Sequence, residues 1–363
     1  MKFNNKNKFF SGTAVRLKMV FLVLVFAFAG TVSLHAQKSS YKIAAIGFYN
    51  LENLFDTIDA PDIRDTEFTP EGSKLWNTKR YNEKLSHMAQ VISMMATKKV
   101  KDGVAILGVA EIENRNVLQD LVNQPAIKDR HYGIIHFDSE DRRGIDLGLL
   151  YQPKYFIPTE ARPVPVHIYS GTERIFTRDI LFVGGKLLGE QIYIMVNHWP
   201  SRRGGESKTA PWRAAAAMEC KKIADSLMTI NPMAKIIIMG DLNDDPDSPS
   251  VKNVLGAKSR KKKVKEGGFF NPMAQFYHRG IGTTAYRDAW SLFDQIILSY
   301  GLLPEDQDGW RFYKAHVYNK AFLVQKKGHF KGYPLRTFAG SEYLHGYSDH
   351  FPVFIYLIKK VKK

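Results

Sequence analysis

Residues 236–247 read IIIMGDLNDDPD, a short apolar run that passes abruptly into four aspartates and an asparagine. The apolar half has the composition of a buried strand. The acidic half fits a solvated turn, a calcium loop or part of an active site. A calcium loop fails on spacing. Asp241, Asn243 and Asp245 match its first ligands, but Pro246 stands where glycine is required and Lys252 where the closing glutamate belongs.

Outward from this stretch the same arrangement recurs. The runs KIAAIGFY, GVAILGVAEI, IDLGLLY, QIYIMVNHW, AKIIIMG, LFDQIILSY and FPVFIYLI read as buried strands. Two helical patterns lie between them. Asn77 caps one whose Leu85, Met88, Ala89 and Ile92 keep one face apolar; APWRAAAAMECKKIADSLM forms the other, with Pro211 in its first turn. Strands interleaved with helices in this way predict a layered α/β protein with two sheets packed face to face.

The unusual polar residues fall at strand ends. Asn50 and Glu52 follow the first strand and Glu111 the second, while Asp146 opens the third. Asn197 and His198 follow the fourth, and Asp241 and Asn243 the fifth. Asp294 lies in the sixth, and Asp349 with His350 precedes the last. Any one of these reads equally well as a cap, a turn former or a core histidine, but seven groups so placed suit a shared rim. Asp294 is the most telling, because a carboxylate inside SLFDQIILS costs several kcal/mol unless it is paired. His350, held beside an aspartate, is its natural partner, and the pair would fix one tautomer of an imidazole able to become charged.

The chain has 363 residues, 44% of them hydrophobic, enough for a large core, and a formal net charge of +16 that favours polyanions or anionic membrane surfaces as partners. Lys2, Lys6, Lys8, Arg16 and Lys18 precede MVFLVLVFAFAG and then TVSLHAQ, the pattern of a secretory signal over residues 1–36. Its apolar run is shorter than the roughly 20 residues that a spanning helix needs. Cleavage takes those five positive charges from the +16 and leaves +11 on a domain of residues 37–363. The expectation is a secreted or periplasmic monomer with no membrane span. Cys220 is the only cysteine, so no intramolecular disulfide can form.

In order, FYNLEN, GVAEIEN, RRGIDLGLLY, VNHWP, GDLND, LFDQIILS and YSDHFPV resemble the motifs of the endonuclease/exonuclease/phosphatase superfamily, over about residues 41–358. That superfamily includes DNase I-like nucleases, abasic-site endonucleases, neutral sphingomyelinases and inositol polyphosphate 5-phosphatases. The resemblance implies a four-layer α/β sandwich, two packed mixed β-sheets flanked by helices, with the site at one rim. It implies that Asn50, Glu52, Glu111 and Asp349 surround a metal, with Glu111 the principal ligand. Asp241 corresponds to the carboxylate that orients or deprotonates the attacking water, and Asn243 to a phosphate and water ligand. His350, paired with Asp294, corresponds to the phosphate-binding imidazole. His198 corresponds to a second histidine, oriented by an acid near Asp146.

Carboxylates and amide oxygens without thiolates suit Mg²⁺ or Mn²⁺, with Ca²⁺ a weaker candidate. Asn197, Arg143, Arg202 and Arg203 are the candidate substrate contacts, since arginine forks suit phosphates. The expected activity is divalent-metal-dependent phosphodiester hydrolysis, on DNA or RNA by preference. A phosphate ester or a phospholipid headgroup, as in sphingomyelinases, is the alternative substrate. A non-catalytic polyanion binder would not require the Asp294–His350 pair.

Overall fold

The computed structural model describes residues 1–2, 40–61, 63–305 and 308–361, so the expected signal segment falls outside it apart from Met1 and Lys2. Tyr41–Lys363 form one compact unit. Twelve strands build two sheets. In chain order they are β1 (Tyr41–Leu54), β2 (Ile106–Ile112), β3 (Gly133–Phe137), β4 (Asp146–Tyr151), β5 (Phe156–Val164) and β6 (Ile180–Leu187). They continue with β7 (Glu190–His198), β8 (Ile236–Asp241), β9 (Phe269–Phe270), β10 (Asp294–Ser299), β11 (Arg311–Val317) and β12 (Val353–Lys360). The first sheet has the order β11-β12-β1-β2-β4-β3 and the second β9-β10-β8-β7-β6-β5. Each is mixed, with one parallel pair at its centre: β1 with β2, and β8 with β7.

Alternation along the strands sorts side chains into layers. In β1, Ala44, Ile46 and Phe48 join the core between the sheets, whereas Ala45 and Tyr49 face the helical layer. In β8, Ile237 and Met239 point between the sheets and Ile236 and Ile238 point away. Helices α1 (Thr78–Met94) and α2 (Arg115–Val122) cover the outer face of the first sheet, and α3 (Glu206–Ile230) covers that of the second. The result is a four-layer α/β sandwich. Asn77 caps α1 by accepting the Arg80 N–H at 3.2 Å. Helix α3 starts earlier than its sequence suggests, at Glu206, which moves Pro211 out of the first turn. Among the described residues no helix is long and apolar enough to cross a membrane.

Candidate active site

The inner stripes of four strands lead to one rim. Continuing Ile46 and Phe48 by two residues reaches Asn50; Ile192, Ile194 and Val196 lead to His198; Ile237 and Met239 lead to Asp241; Leu298 and Ile296 lead back to Asp294. All four side chains are buried. Glu111 arrives differently. The registers of β1 with β2 and of β2 with β4 both shift here, and Glu52, Asn53 and Glu111 adopt left-handed backbone at φ 51°, 52° and 59°. Such bulges re-aim side chains out of the alternating pattern. Gly240 lets β7 and β8 close up, since a Cβ there would lie 2.1 Å from the Asn197 carbonyl oxygen.

Asn50 ties the centre together, its Nδ2 donating to Glu111 Oε1 and to Asp241 Oδ2, both at 3.1 Å. Asp241 Oδ1 accepts the Asn243 backbone N–H at 2.9 Å, and its Oδ2 faces two imidazoles, 3.7 Å from His198 Nε2 and 3.8 Å from His350 Nε2. Burial pushes Asp241 up to about 7; the His350 charge opposes this and Asp294 and Glu111 reinforce it. The pair inferred from the interrupted apolar run is present, with His350 Nδ1 2.7 Å from Asp294 Oδ2. Burial alone would lower the His350 pKa, but Asp294 and Asp241 override it and raise it well above the usual value. His198 goes the other way, held well below its ordinary value by burial and then by Arg178, Arg143 and His350. The environment favours the charged form of His350 and the neutral form of His198.

Donor atoms of Glu111, His198 and Asp241 lie within 4.8 Å of one another, as do those of Asp241, Asp294 and His350. The first group offers two carboxylates and one imidazole, a donor set suited to a divalent cation. Glu52 and Asp349 lie to one side, engaged by cations. Thr337 donates N–H and Oγ1–H to Glu52 Oε2 at 2.7 and 2.9 Å, and Lys84 Nζ sits 3.8 Å from the same oxygen. Arg336 reaches Asp349 Oδ2 at 2.6 Å and Glu52 Oε1 at 3.9 Å. Burial, with Asp349 adding to it, raises Glu52 to about 7; burial lowers Lys84 to about 8 against the pull of Glu52.

Three expectations need correction. Asn197 lies on the opposite stripe from His198, so it turns away from the rim; its Oδ1 accepts from Trp199 Nε1 and Cys220 Sγ, both at 3.0 Å. Asp146 is likewise on the outer stripe of β4, where it accepts from Ser139 and does not orient His198, whose Nδ1 has no hydrogen-bond partner. Arg202 is not free for substrate: it donates to the Asn243 carbonyl at 2.9 Å and to Asp244 and Asp245 at 3.2 Å each. Arg203 is exposed, and the half-exposed Arg143 leans on Asp141 at 3.3 Å. Asn243 spends one amide proton on the Trp199 carbonyl at 2.9 Å.

Sequence reasoning missed Lys84, Arg336, Thr337 and Arg178. Lys84 alone left a signal, a lysine three residues after Tyr81 and four before Met88 on the apolar face of α1.

A layered sandwich whose strand stripes end in carboxylates, an asparagine and two unlike histidines defines a metal-dependent phosphoric ester hydrolase. The chain belongs to the Endonuclease/Exonuclease/phosphatase family, whose sequence profile matches residues 45–359. No curated protein sequence matches it. Solved structures agree on the fold. A family protein from Bacteroides thetaiotaomicron superposes with a TM-score of 0.53 at 15% identity, covering 90% of this chain and 98% of that one. A humanized D. rerio TDP2 superposes with a TM-score of 0.51 at 14% identity, over 87% and 98%. A B. thetaiotaomicron mannosyl-6-phosphatase does so at 0.51 and 14%, over 86% and 99%.

Proposed function

We propose that this protein is an exported, Mg²⁺-dependent phosphodiesterase that cleaves nucleic acid. The observation that carries the reading is the convergence of Asn50, His198, Asp241 and Asp294 from four separate strands onto one rim. Glu111 would hold the cation beside Asn50, whose Nδ2 orients the carboxylate, with Asp349 and Glu52 contributing field from one side. A divalent ion bound there supplies Lewis-acid polarisation of phosphoryl oxygens. The chain's own groups do the rest. Asp241, oriented by the Asn243 N–H and raised to about 7, is suited to take a proton from an attacking water at neutral pH. His350, kept protonated by Asp294, presents Nε2–H to the charge that develops on a phosphoryl oxygen. His198, neutral, adds a second polar contact on the Glu111 side.

Nucleic acid is favoured by the positive charge, which suits backbone phosphates without base specificity, and by the exposure of Arg143 and Arg203. A structural relative, D. rerio TDP2, has been solved with a single-strand DNA product. The purified protein should cleave DNA or RNA oligonucleotides with Mg²⁺, and Asp241→Asn and His350→Ala should each lower kcat by about 10²-fold or more while the thermal melt is retained. Hydrolysis confined to sphingomyelin or to sugar phosphates would reject the substrate. Full activity in both variants would reject the site.

A further inference from the structure

Asp146, excluded from the catalytic rim, belongs to a second group. On the outer face of the first sheet, β3 and β4 run antiparallel, and the loop between them brings Asp138 back beside His136. The His136 side chain is only 4% exposed, yet its Nε2 has no hydrogen-bond partner. It faces Asp146 Oδ2 at 3.6 Å and Asp138 Oδ1 at 3.9 Å, and these three atoms lie within 4.8 Å of one another. Those separations are too long for hydrogen bonds. They are close to the edge of a ligand tetrahedron, about 3.3–3.6 Å when each bond is about 2.0–2.2 Å. The other oxygen of Asp146 is fixed by Ser139, which donates its N–H at 3.0 Å and its hydroxyl at 2.5 Å, the kind of outer contact that orients a metal-binding carboxylate. Asp179 and Glu140 add negative charge nearby, while the buried Arg178 is neutralised by Asp141 at 2.9 Å.

We propose that His136, Asp138 and Asp146 form a second, structural metal site for a borderline divalent cation of the Zn²⁺ class. An imidazole ligand suits such an ion, and since the Glu111–His198–Asp241 group has the same composition, the two sites are told apart by substitution. The site joins β3, β4 and the loop between them. That loop carries Asp141 and Arg143, and through Arg178 it braces the carbonyls of His198 and Trp199 at 3.1 and 2.7 Å. The bound cation would thus order the loop that flanks the active rim without entering it. This inference does not depend on the substrate assigned above.

Calorimetric titration of the metal-stripped full chain carrying Glu111→Gln with Zn²⁺ should give one Zn²⁺ per chain. His136→Ala and Asp138→Asn should each weaken it by about ten-fold or more. Because Asp138 is 87% exposed, its variant tests the site even if His136→Ala does not fold. Co²⁺ in place of Zn²⁺ should show a visible absorption band that persists in Glu111→Gln and disappears in Asp138→Asn. No Zn²⁺ binding by the Glu111→Gln chain, unchanged affinity in Asp138→Asn, or a Co²⁺ band lost in Glu111→Gln instead would each overturn the proposal.

Discussion

Arg178 has a 5%-exposed side chain and makes bonds in three directions, to Asp141 and to the carbonyls of His198 and Trp199. Burial would raise the Asp141 pKa, but Arg178 and Arg143 outweigh it and hold the carboxyl below its ordinary value. A depressed folded-state pKa contributes stability that is complete above the unfolded value, about 3.9, and is lost as pH falls through the folded value. Asp141→Asn should therefore cost on the order of 3 kcal/mol at neutral pH, because it leaves a buried guanidinium uncompensated. Denaturant melts should show the gap between wild type and variant closing below pH ~4; a gap constant with pH would remove the electrostatic explanation. At this scale the sequence was informative wherever burial and charge conflicted visibly. Asp294 inside an apolar run exposed its pairing with His350. Asn197 and His198 could not both reach one rim, since neighbours in a strand face opposite ways, and the same rule set Asp146 apart. Arg336 and Thr337 left no such trace. They reach Glu52 from 284 and 285 positions along the chain, through a loop with no periodic pattern.

Among elements, the apolar runs located central strands and missed the borders. The edge strands β3, β5 and β11 lack a continuous apolar run because an edge meets solvent, and the fourth, β9, is buried but only two residues long. Strand β5 carries Pro158 and Pro163, a composition tolerated at an edge. Strand β6, internal but holding Gly184 and Gly185, was missed for its weak strand composition. Nor did apolar patterning indicate the bulges that turn Glu111 inward. Asn53 tests their cost. Its contact with Glu111 uses the backbone N–H at 3.1 Å, and its φ is 52°. Asn53→Gly should keep stability within about 0.5 kcal/mol, whereas Asn53→Val should lose about 1–2 kcal/mol, since branched residues resist left-handed backbone. Equal melting temperatures for the two would mean that the bulge stores no strain.

At the scale of the whole molecule, charge and not shape distinguishes the substrates. If polynucleotide phosphates are gripped by the positive surface, KM for an oligonucleotide should climb steeply with salt as counterion release loses its advantage. KM for a small phosphodiester such as bis(p-nitrophenyl) phosphate should change little. Parallel salt responses would place recognition at the catalytic centre alone.

Strand β1 lies between β2 and β12, so the first strand of the domain and its last are hydrogen-bonded neighbours, Tyr41 opposite Lys360. Loop closure of this length makes folding slow relative to sheets built from local hairpins. It also means that β1 keeps an open edge until the final strand is made. A nascent chain emerging from the ribosome cannot complete this sheet early. Truncation that removes Val353–Lys360 should yield not a trimmed enzyme but an aggregating one.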